Sequence, residues 1–568
     1  MSAGSTPAGS KIEAMKSSAT VTADVAQVAA ASAGVTPLAW RALLTPAASG
    51  LLIAASFLDF SLFPLAWVAF VPLLWSLAKA RSLRDALWIG AAAGLATNIP
   101  AFYWLVYTIH VFGGFPYPLA IFFYGCLSAY SAAELVLFAL GVWRLGLGGL
   151  GLAAPLVWVS LEFLYPNLFP WRLANSQFHV PVLMQIGDVT GPYGLSFVMV
   201  WFAAGLVLAL RQPRRVLPVV LALLALAGVV AYGDWRMAVV QRALDGAPVV
   251  RVGLIQGNIS IVDKGSVSMF DVNVDRYREL SRRLQDDVDV IVWPESVVQD
   301  WTPADVERLP PQHHPFHGLR THLLYGGLAF SSQRRGEATK YNSAFLIDPE
   351  GRVLGRYDKQ VLMPFGEFLP GASLFPRLAE LSPETGDFTA GARVVTLDVP
   401  NRVRIAPLIC YEDVPSSIAR AMTRAGAEAL LTIFNDAWFG ATIAPYQHEA
   451  LALWRAIENR RYFIRVGNAG VSGVIDPFGR VVDRLGLFTE DVLRADIRPL
   501  RLTTLYTRYG DAFAYAVLAA TAVWLVRGRR SRSLVESRES RVQSREPGAE
   551  EVSAFRDSGL STLDSRLT

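Results

Sequence analysis

The sequence has little charge and almost no cysteine. Of its 568 residues, 18% are charged and 52% are hydrophobic, and the mean hydropathy is +0.34. A chain with that balance is neither disordered overall nor a charged coiled coil. Its two cysteines, Cys126 and Cys410, exclude a disulfide-stapled scaffold. The net charge of +4 is not gathered on a basic face, and basic and aromatic residues do not interleave, so no nucleic acid is expected as a partner. Residues 1–39 lack a long apolar run and do not resemble a signal peptide. They are expected to be a disordered extension, as is the charged, Ser-rich tail 528–568.

What charge there is lies mostly outside one region. From Trp40 to about residue 235 charges are sparse and apolar runs long, whereas 245–505 reads as an ordinary soluble domain. Seven apolar segments fall in the first region, roughly Leu43–Leu58, Ser61–Leu77, Ala86–Leu105, Tyr117–Val142, Leu152–Glu162, Leu195–Leu210 and Val216–Tyr232. An eighth lies at about Ala512–Val526, within 510–527. A membrane-crossing helix needs ~20 such residues, so the pattern predicts about eight spans. Lys79, Arg81 and Arg84, then Arg144, then Arg211, Arg214 and Arg215, then Arg527, Arg529 and Arg530 all fall on one side if both termini are cytoplasmic. The soluble domain then lies on the outer side. Within the apolar runs, Glu134 and Glu162 stand for either function or helix packing, because an intramembrane acid is costly unless paired. Asp59 lies near an interface. The aromatic loop Tyr165–Val180, with Phe169, Trp171 and Arg172, could line a lipid entrance or merely pack on the soluble domain.

The soluble region alternates strand-like and helix-like patterns, which argues α/β. Strands are predicted at Val249–Gln256, Val288–Trp293, Leu323–Phe330, Tyr341–Ile347, Val394–Leu397, Val403–Pro407 and Ala429–Phe434, and helices at Val272–Leu284, Ser416–Ala425 and Gln447–Asn459. Three polar residues follow strand ends: Glu295 in WPES, Lys359 in YDKQ and Cys410 in ICYED. Singly, a cap, a surface lysine and a core thiol would explain them. Together they can run acyl transfer: a thiol nucleophile, a carboxylate to take its proton, and an ammonium to hold the charge of the tetrahedral intermediate. The Tyr411 N–H would be a second donor.

The stretches WPES, YDK…PFGEF, CYED and NDAWFG, with the run QGNI at Gln256–Ile259 and DPFGR at Asp476–Arg480, resemble the carbon–nitrogen hydrolase (nitrilase) superfamily. With the apolar flanks and FNDAWFG…YQH, the chain is similar to the apolipoprotein N-acyltransferases of bacterial inner membranes from about Trp40 to Val526. That resemblance implies a multi-pass α-helical membrane domain carrying an inserted α-β-β-α sandwich in the periplasm. It implies a Glu295–Lys359–Cys410 triad and a ping-pong reaction without cofactor or metal. The sn-1 acyl chain of a phospholipid, phosphatidylethanolamine, passes through a cysteine thioester to the amine of the S-diacylglyceryl cysteine of an apolipoprotein. Glu367 matches a glutamate near the triad, orienting Lys359 or assisting proton transfer. Tyr411 and Glu412 flank the nucleophile, and Glu412 could equally be a buried structural carboxylate paired with an arginine. Asn435, Trp438 and Phe439 match a loop near the acyl pocket. Phe365 and Phe368 could wall the lipid site or sit in the core.

The sequence departs from the family after QGNI, where Lys264 is present but Gly265 stands in place of an expected aromatic. The histidines His313, His314, His317 and His322 have no Cys or acid cluster beside them and are expected in an exposed loop. His448 is expected to be structural. Two other functions stay open from the residues alone. A membrane-tethered amidase would give the acyl group to water or ammonia, and a transporter with an outer domain would depend on Glu134 and be indifferent to Cys410.

Overall fold

The computed structural model describes residues 40–260, 263–264, 267–310, 317–332, 338–364, 366–368 and 388–543. Four of its helices are long and apolar enough to cross a membrane: Trp40–Leu58, Tyr117–Leu145, Tyr193–Arg211 and Leu217–Asp245. A fifth candidate is broken, with Leu83–Ala101 and Leu105–Val111 meeting at 57°. Shorter apolar helices occupy Pro64–Leu77, Ala153–Leu164 and Ala512–Arg527. The chain is thus a multi-pass membrane protein with an α/β domain. The segment expected to run unbroken over Ala86–Leu105 instead starts at a capping box, Ser82 with Asp85, and ends at Ala101 one residue past Pro100. Helix packing here uses small residues. A Cβ on Gly94 would lie 2.5 Å from the Ala132 carbonyl oxygen of the neighbouring helix.

Two further segments are longer than their apolar runs. Leu217–Asp245 continues 13 residues beyond Tyr232 and leads into the α/β domain. The tail expected to be disordered from Gly528 instead prolongs the last helix, Ala512–Gln543, through a stretch with Leu, Glu and Arg, which favour helix. Residues 1–39 and 544–568 lie outside the described residues.

The α/β domain is built on two sheets. Its strands are β1 Val250–Gln256, β2 Val290–Val292, β3 Val298–Pro303, β4 His322–Ser332, β5 Ala338–Ile347, β6 Val353–Asp358, β7 Leu397–Val399, β8 Val403–Ile409, β9 Ala429–Phe434, β10 Phe463–Gly467, β11 Gly473–Ile475, β12 Val481–Arg484 and β13 Asp491–Ile497. One sheet has the order β13-β1-β2-β4-β5-β6 with β3 on β4, and the other runs β12-β11-β10-β9-β8-β7. Side chains alternate across the first sheet as a period of two requires. Val252, Leu254, Val290, Val292, Leu324 and Leu346 join Ile405, Leu408 and Leu431 of the second sheet in one core. Ile255, Ile291, Trp293, Leu323 and Phe345 face away, onto the helix Phe270–Arg282 through Val274, Tyr277 and Leu280. The second sheet carries Ser416–Arg424 and the pair Ala444–Ala452 and Trp454–Asn459. The last two replace the single helix expected over Gln447–Asn459, which breaks at Leu453.

The α/β domain sits directly on the helices, because the apolar cluster between its sheets is continuous with that of the membrane bundle. Polar contacts fix the seat. Gln447 accepts from Trp104 Nε1 at 2.9 Å and donates to the carbonyls of Phe57 and Ala101. Asp188 receives Arg236, Tyr232 and the fully buried Arg460, whose guanidinium lies 2.8 Å away and also bonds Gln185 and the Pro477 carbonyl. Removing one partner of a buried ion pair leaves the other uncompensated at a cost of about 3–5 kcal/mol. Asp188→Ala is therefore expected to destabilise the protein by about that much, read as a lower apparent melting temperature in detergent. An unchanged melting temperature would contradict this role.

Candidate active site

Three strand ends converge. Beyond β2, Trp293 N donates to the Leu324 carbonyl and Gly326 N to that of Pro294, so the chain turns at Glu295 against β4. The approach is close: a Cβ on Gly326 would lie 2.6 Å from Glu295 Cα, and Ser296 takes a φ of 50°. Lys359 follows β6, its N–H bonded to the Asn342 carbonyl at 2.9 Å. Cys410 follows β8 and opens the short turn Cys410–Asp413 with a φ of 52°. A side-chain-bearing residue in that region costs ~1–3 kcal/mol and persists only where its surroundings enforce it.

The enforcing group is Glu412. Its Oε2 accepts from the Ile409 N–H at 2.9 Å, and its Oε1 accepts from Tyr357 Oη at 2.8 Å, Gln360 N at 2.6 Å and Val361 N at 3.0 Å. One buried carboxylate therefore ties the turn bearing Cys410 to the segment bearing Lys359. The arginine partner considered for Glu412 is replaced by a tyrosine and three backbone N–H groups, because the strand ends supply donors directly.

Lys359 is the electrostatic centre. Only 1% of its side chain is exposed, and its Nζ lies 2.7 Å from Glu367 Oε2 and 3.6 Å from Glu295 Oε1. Burial would favour loss of its proton, but Glu367 and then Glu295 outweigh burial and raise its pKa above the usual lysine range. It is an ammonium. Asn342 Nδ2 donates to both glutamates at 2.8 Å, and Glu367 is further held by the Met363 N–H. Asn342 was not singled out in the sequence. It sits among other polar residues of its strand, Thr339, Lys340 and Ser343, so nothing in the sequence marked it. Burial and then Glu295 push the Cys410 thiol well above its ordinary pKa, against the opposite pull of Lys359. The thiol is protonated at rest and within reach of the charges of Glu295, Lys359 and Glu367.

The other candidates lie on the membrane-facing side. Tyr411 Oη donates to the Leu168 carbonyl at 2.8 Å. Phe439 packs its ring 5.1 Å from Trp104 and 6.1 Å from Phe169, and Trp438 lies 4.6 Å from Phe112. The turn Asp436–Phe439 is thereby docked on the short helix Leu105–Val111, with Thr108 Oγ1 bonded to the Trp438 carbonyl. Asn435 is buried and accepts from Asn468 Nδ2 at 3.3 Å. Phe368 is 38% exposed, so a core role does not apply to it, and Phe365 lies outside the described residues. A pocket opens between helices and domain, walled by Phe57, Phe60, Trp104, Phe169, Trp171 and Phe439.

Among the described residues, no three His, Cys, Asp or Glu side chains are grouped to hold a metal. His313 and His314 lie outside them. His448 does not face the thiol as a base. It bridges two buried aspartates, with Nε2 2.8 Å from Asp413 Oδ1 and Nδ1 3.0 Å from Asp436 Oδ1, and Asp413 also pairs with Arg465. Burial lowers the histidine pKa, but Asp413 and Asp436 together raise it to about 9. A raised histidine pKa stabilises the fold fully below the ordinary value of 6.5 and ceases to do so as pH rises through about 9. The apparent melting temperature is expected to fall across that window, and His448→Gln to lower it at pH 6.5 and flatten the fall. An unchanged slope in the variant would contradict the charged bridge.

Comparisons with known proteins identify the family. Residues 49–205 match the family model of the apolipoprotein N-acyltransferase N-terminal domain, and residues 251–506 match that of carbon–nitrogen hydrolases. The chain is 37% identical over 501 residues to an apolipoprotein N-acyltransferase of Geobacter metallireducens, covering 85% of this chain and 94% of that protein. It is 32% identical to one from Pseudomonas paraeruginosa, with 87% and 97% covered, and 33% identical to one from Azotobacter vinelandii, with 87% and 96% covered. With both halves matched and the relatives aligned nearly end to end, the chain belongs to the apolipoprotein N-acyltransferase family.

Proposed function

We propose that this membrane enzyme moves the sn-1 acyl chain of a phospholipid, phosphatidylethanolamine, to the N-terminal amine of an S-diacylglyceryl-cysteine apolipoprotein, with Cys410 as the carrier. The observation that carries the residue assignment is the buried Lys359 ammonium between Glu367 and Glu295 at 2.7 and 3.6 Å, next to a protonated thiol. In the first half-reaction Glu295 takes the thiol proton as sulfur attacks the ester carbonyl. Lys359 faces the developing oxyanion, where a preorganised donor is worth ~3 kcal/mol of barrier. The ester C–O bond breaks, Glu295 returns the proton to the leaving oxygen, and a lysophospholipid departs. In the second, the acceptor amine attacks the thioester, its proton passes to Glu295, the C–S bond breaks and the proton returns to sulfur. Glu367 and Glu412 hold Lys359 and Cys410 in place, and Tyr411 links the nucleophile's turn to the membrane loop.

The aromatic pocket between helices and domain, which Phe439 lines, supports the loop of Asn435, Trp438 and Phe439 as acyl-facing. Its apolar walls would keep water from the thioester, which favours transfer over the hydrolysis a tethered amidase would perform. The membrane topology we infer has about eight spans, the five long candidates and the three shorter apolar helices, covering 40–235 and 510–527. The 245–505 domain lies in the periplasm and both termini in the cytoplasm of an inner membrane. Two observations support that orientation. Lys79 and Arg211 share the Trp75 ring, at 5.0 and 6.0 Å, so two basic helix ends lie together. Gly148, near Arg144, abuts Trp524, near Arg527. Basic ends collected on one side mark the cytoplasmic face.

Vesicles with phospholipid labelled in the sn-1 chain test the chemistry. Wild-type protein is expected to acquire hydroxylamine-labile label and Cys410→Ser none. Glu295→Gln should acquire it about 100-fold more slowly or worse. Labile label retained by Cys410→Ser would contradict the assignment of the nucleophile.

A further inference from the structure

A second lysine stands behind the Glu295 turn. Lys264 comes from the segment after β1, and its Nζ donates to the Glu295 main-chain oxygen at 2.7 Å. The segment is itself anchored. Ser260 Oγ and the Asp263 carboxylate bond each other at 2.8 Å, and Asn273 Nδ2 of the helix Phe270–Arg282 holds the Asp263 carbonyl at 3.1 Å. Lys264 lines a small pocket of mixed character with Ile259, Phe270, Asn273, Tyr277, Gln299 and Asn468. The titratable groups facing it are Glu295 beyond β2, Cys410 beyond β8 and Tyr277 of the neighbouring helix, while the adjacent Asp263 carboxylate is taken by Ser260. Among the described residues, the Lys264 ammonium bonds a main-chain oxygen and not a carboxylate. Its partner is the peptide of the residue that takes the thiol proton, immediately before Ser296 with its positive φ.

That geometry makes the Glu295 turn depend on an outside clamp. A backbone in the left-handed region is held by its surroundings, and a carboxylate working at hydrogen-bond range loses rate steeply when its main chain shifts. We propose that Lys264 is a positioning residue for the acyl transfer. Its ammonium fixes the Glu295 peptide so that the carboxylate stays between Asn342 and Lys359, and it sets a second positive charge behind the Glu295–Cys410 pair. The role rests on the acyl-transfer chemistry argued above.

Burial lowers the Lys264 pKa to about 8, against the opposing pull of Glu295 and Cys410, so the clamp loses its charge as pH rises through about 8. Thioester formation from phospholipid is therefore followed against pH in wild type, Lys264→Arg and Lys264→Met, with melting temperatures and phospholipid KM measured in parallel. Wild type is expected to slow as pH rises through about 8, and Lys264→Arg, which stays charged, to show no such decline. Lys264→Met is expected to be about 100-fold slower at neutral pH, with KM little changed and no decline of its own. If Lys264→Met does not fold, the Lys264→Arg profile alone decides. Equal rates in Lys264→Met and wild type, or the same alkaline decline in Lys264→Arg and wild type, would overturn the proposal. A wild-type protein that forms no thioester at any pH would overturn the acyl-transfer chemistry itself, a result distinct from either.

Discussion

A buried ammonium cannot stand alone, and this site is arranged around that constraint. Taking Lys359 out of water is tolerable only because Glu367 and Glu295 reach it, and bringing two carboxylates to one point is tolerable only because Lys359 and Asn342 separate them. Each member makes the others possible. The consequence for chemistry is a division of labour. The thiol stays neutral at rest, since burial and Glu295 hold its proton on, while the lysine stays charged. On the proposed chemistry, such a thiol would ionise only as it attacks.

The supports around that centre are less conspicuous and equally physical. Glu412 joins two strand ends through one side chain, so the distance between Lys359 and Cys410 is set by four hydrogen bonds rather than by loop packing. The turn after Asn435 is pressed between His448, held by Asp413 and Asp436, and the short helix Leu105–Val111. The bend of 57° before that helix brings Trp104 and Phe112 against the α/β domain. The membrane part is thus one wall of the site as well as its anchor, and Tyr411, next to Cys410, bonds the Leu168 carbonyl of a membrane loop.

Much of this was legible in the residues, for identifiable reasons. Strands buried on both faces, such as Ala429–Phe434, read as continuous apolar runs and were found with their bounds intact. Those missed carry charge or are very short. Phe463–Gly467 contains the buried Arg465, whose partner Asp413 is 52 positions away; Gly473–Ile475 has three residues. Glu295, Lys359 and Cys410 stood out because each ends a strand with a polar side chain. Asn342 did not, because a lone asparagine within a strand gains meaning only when two glutamates from elsewhere meet it. The helix break at Ala101 was hidden because hydropathy records apolarity and not direction.

The most direct measurement is intact-mass spectrometry of the whole protein in lipid, first with phospholipid alone and then with a diacylated lipopeptide. The account predicts a gain of one acyl chain, mapped to Cys410, and its loss as the peptide gains the same mass in amide linkage. A protein that never carries the acyl mass, carries it on another residue, or releases it as free fatty acid in the presence of the peptide would contradict it.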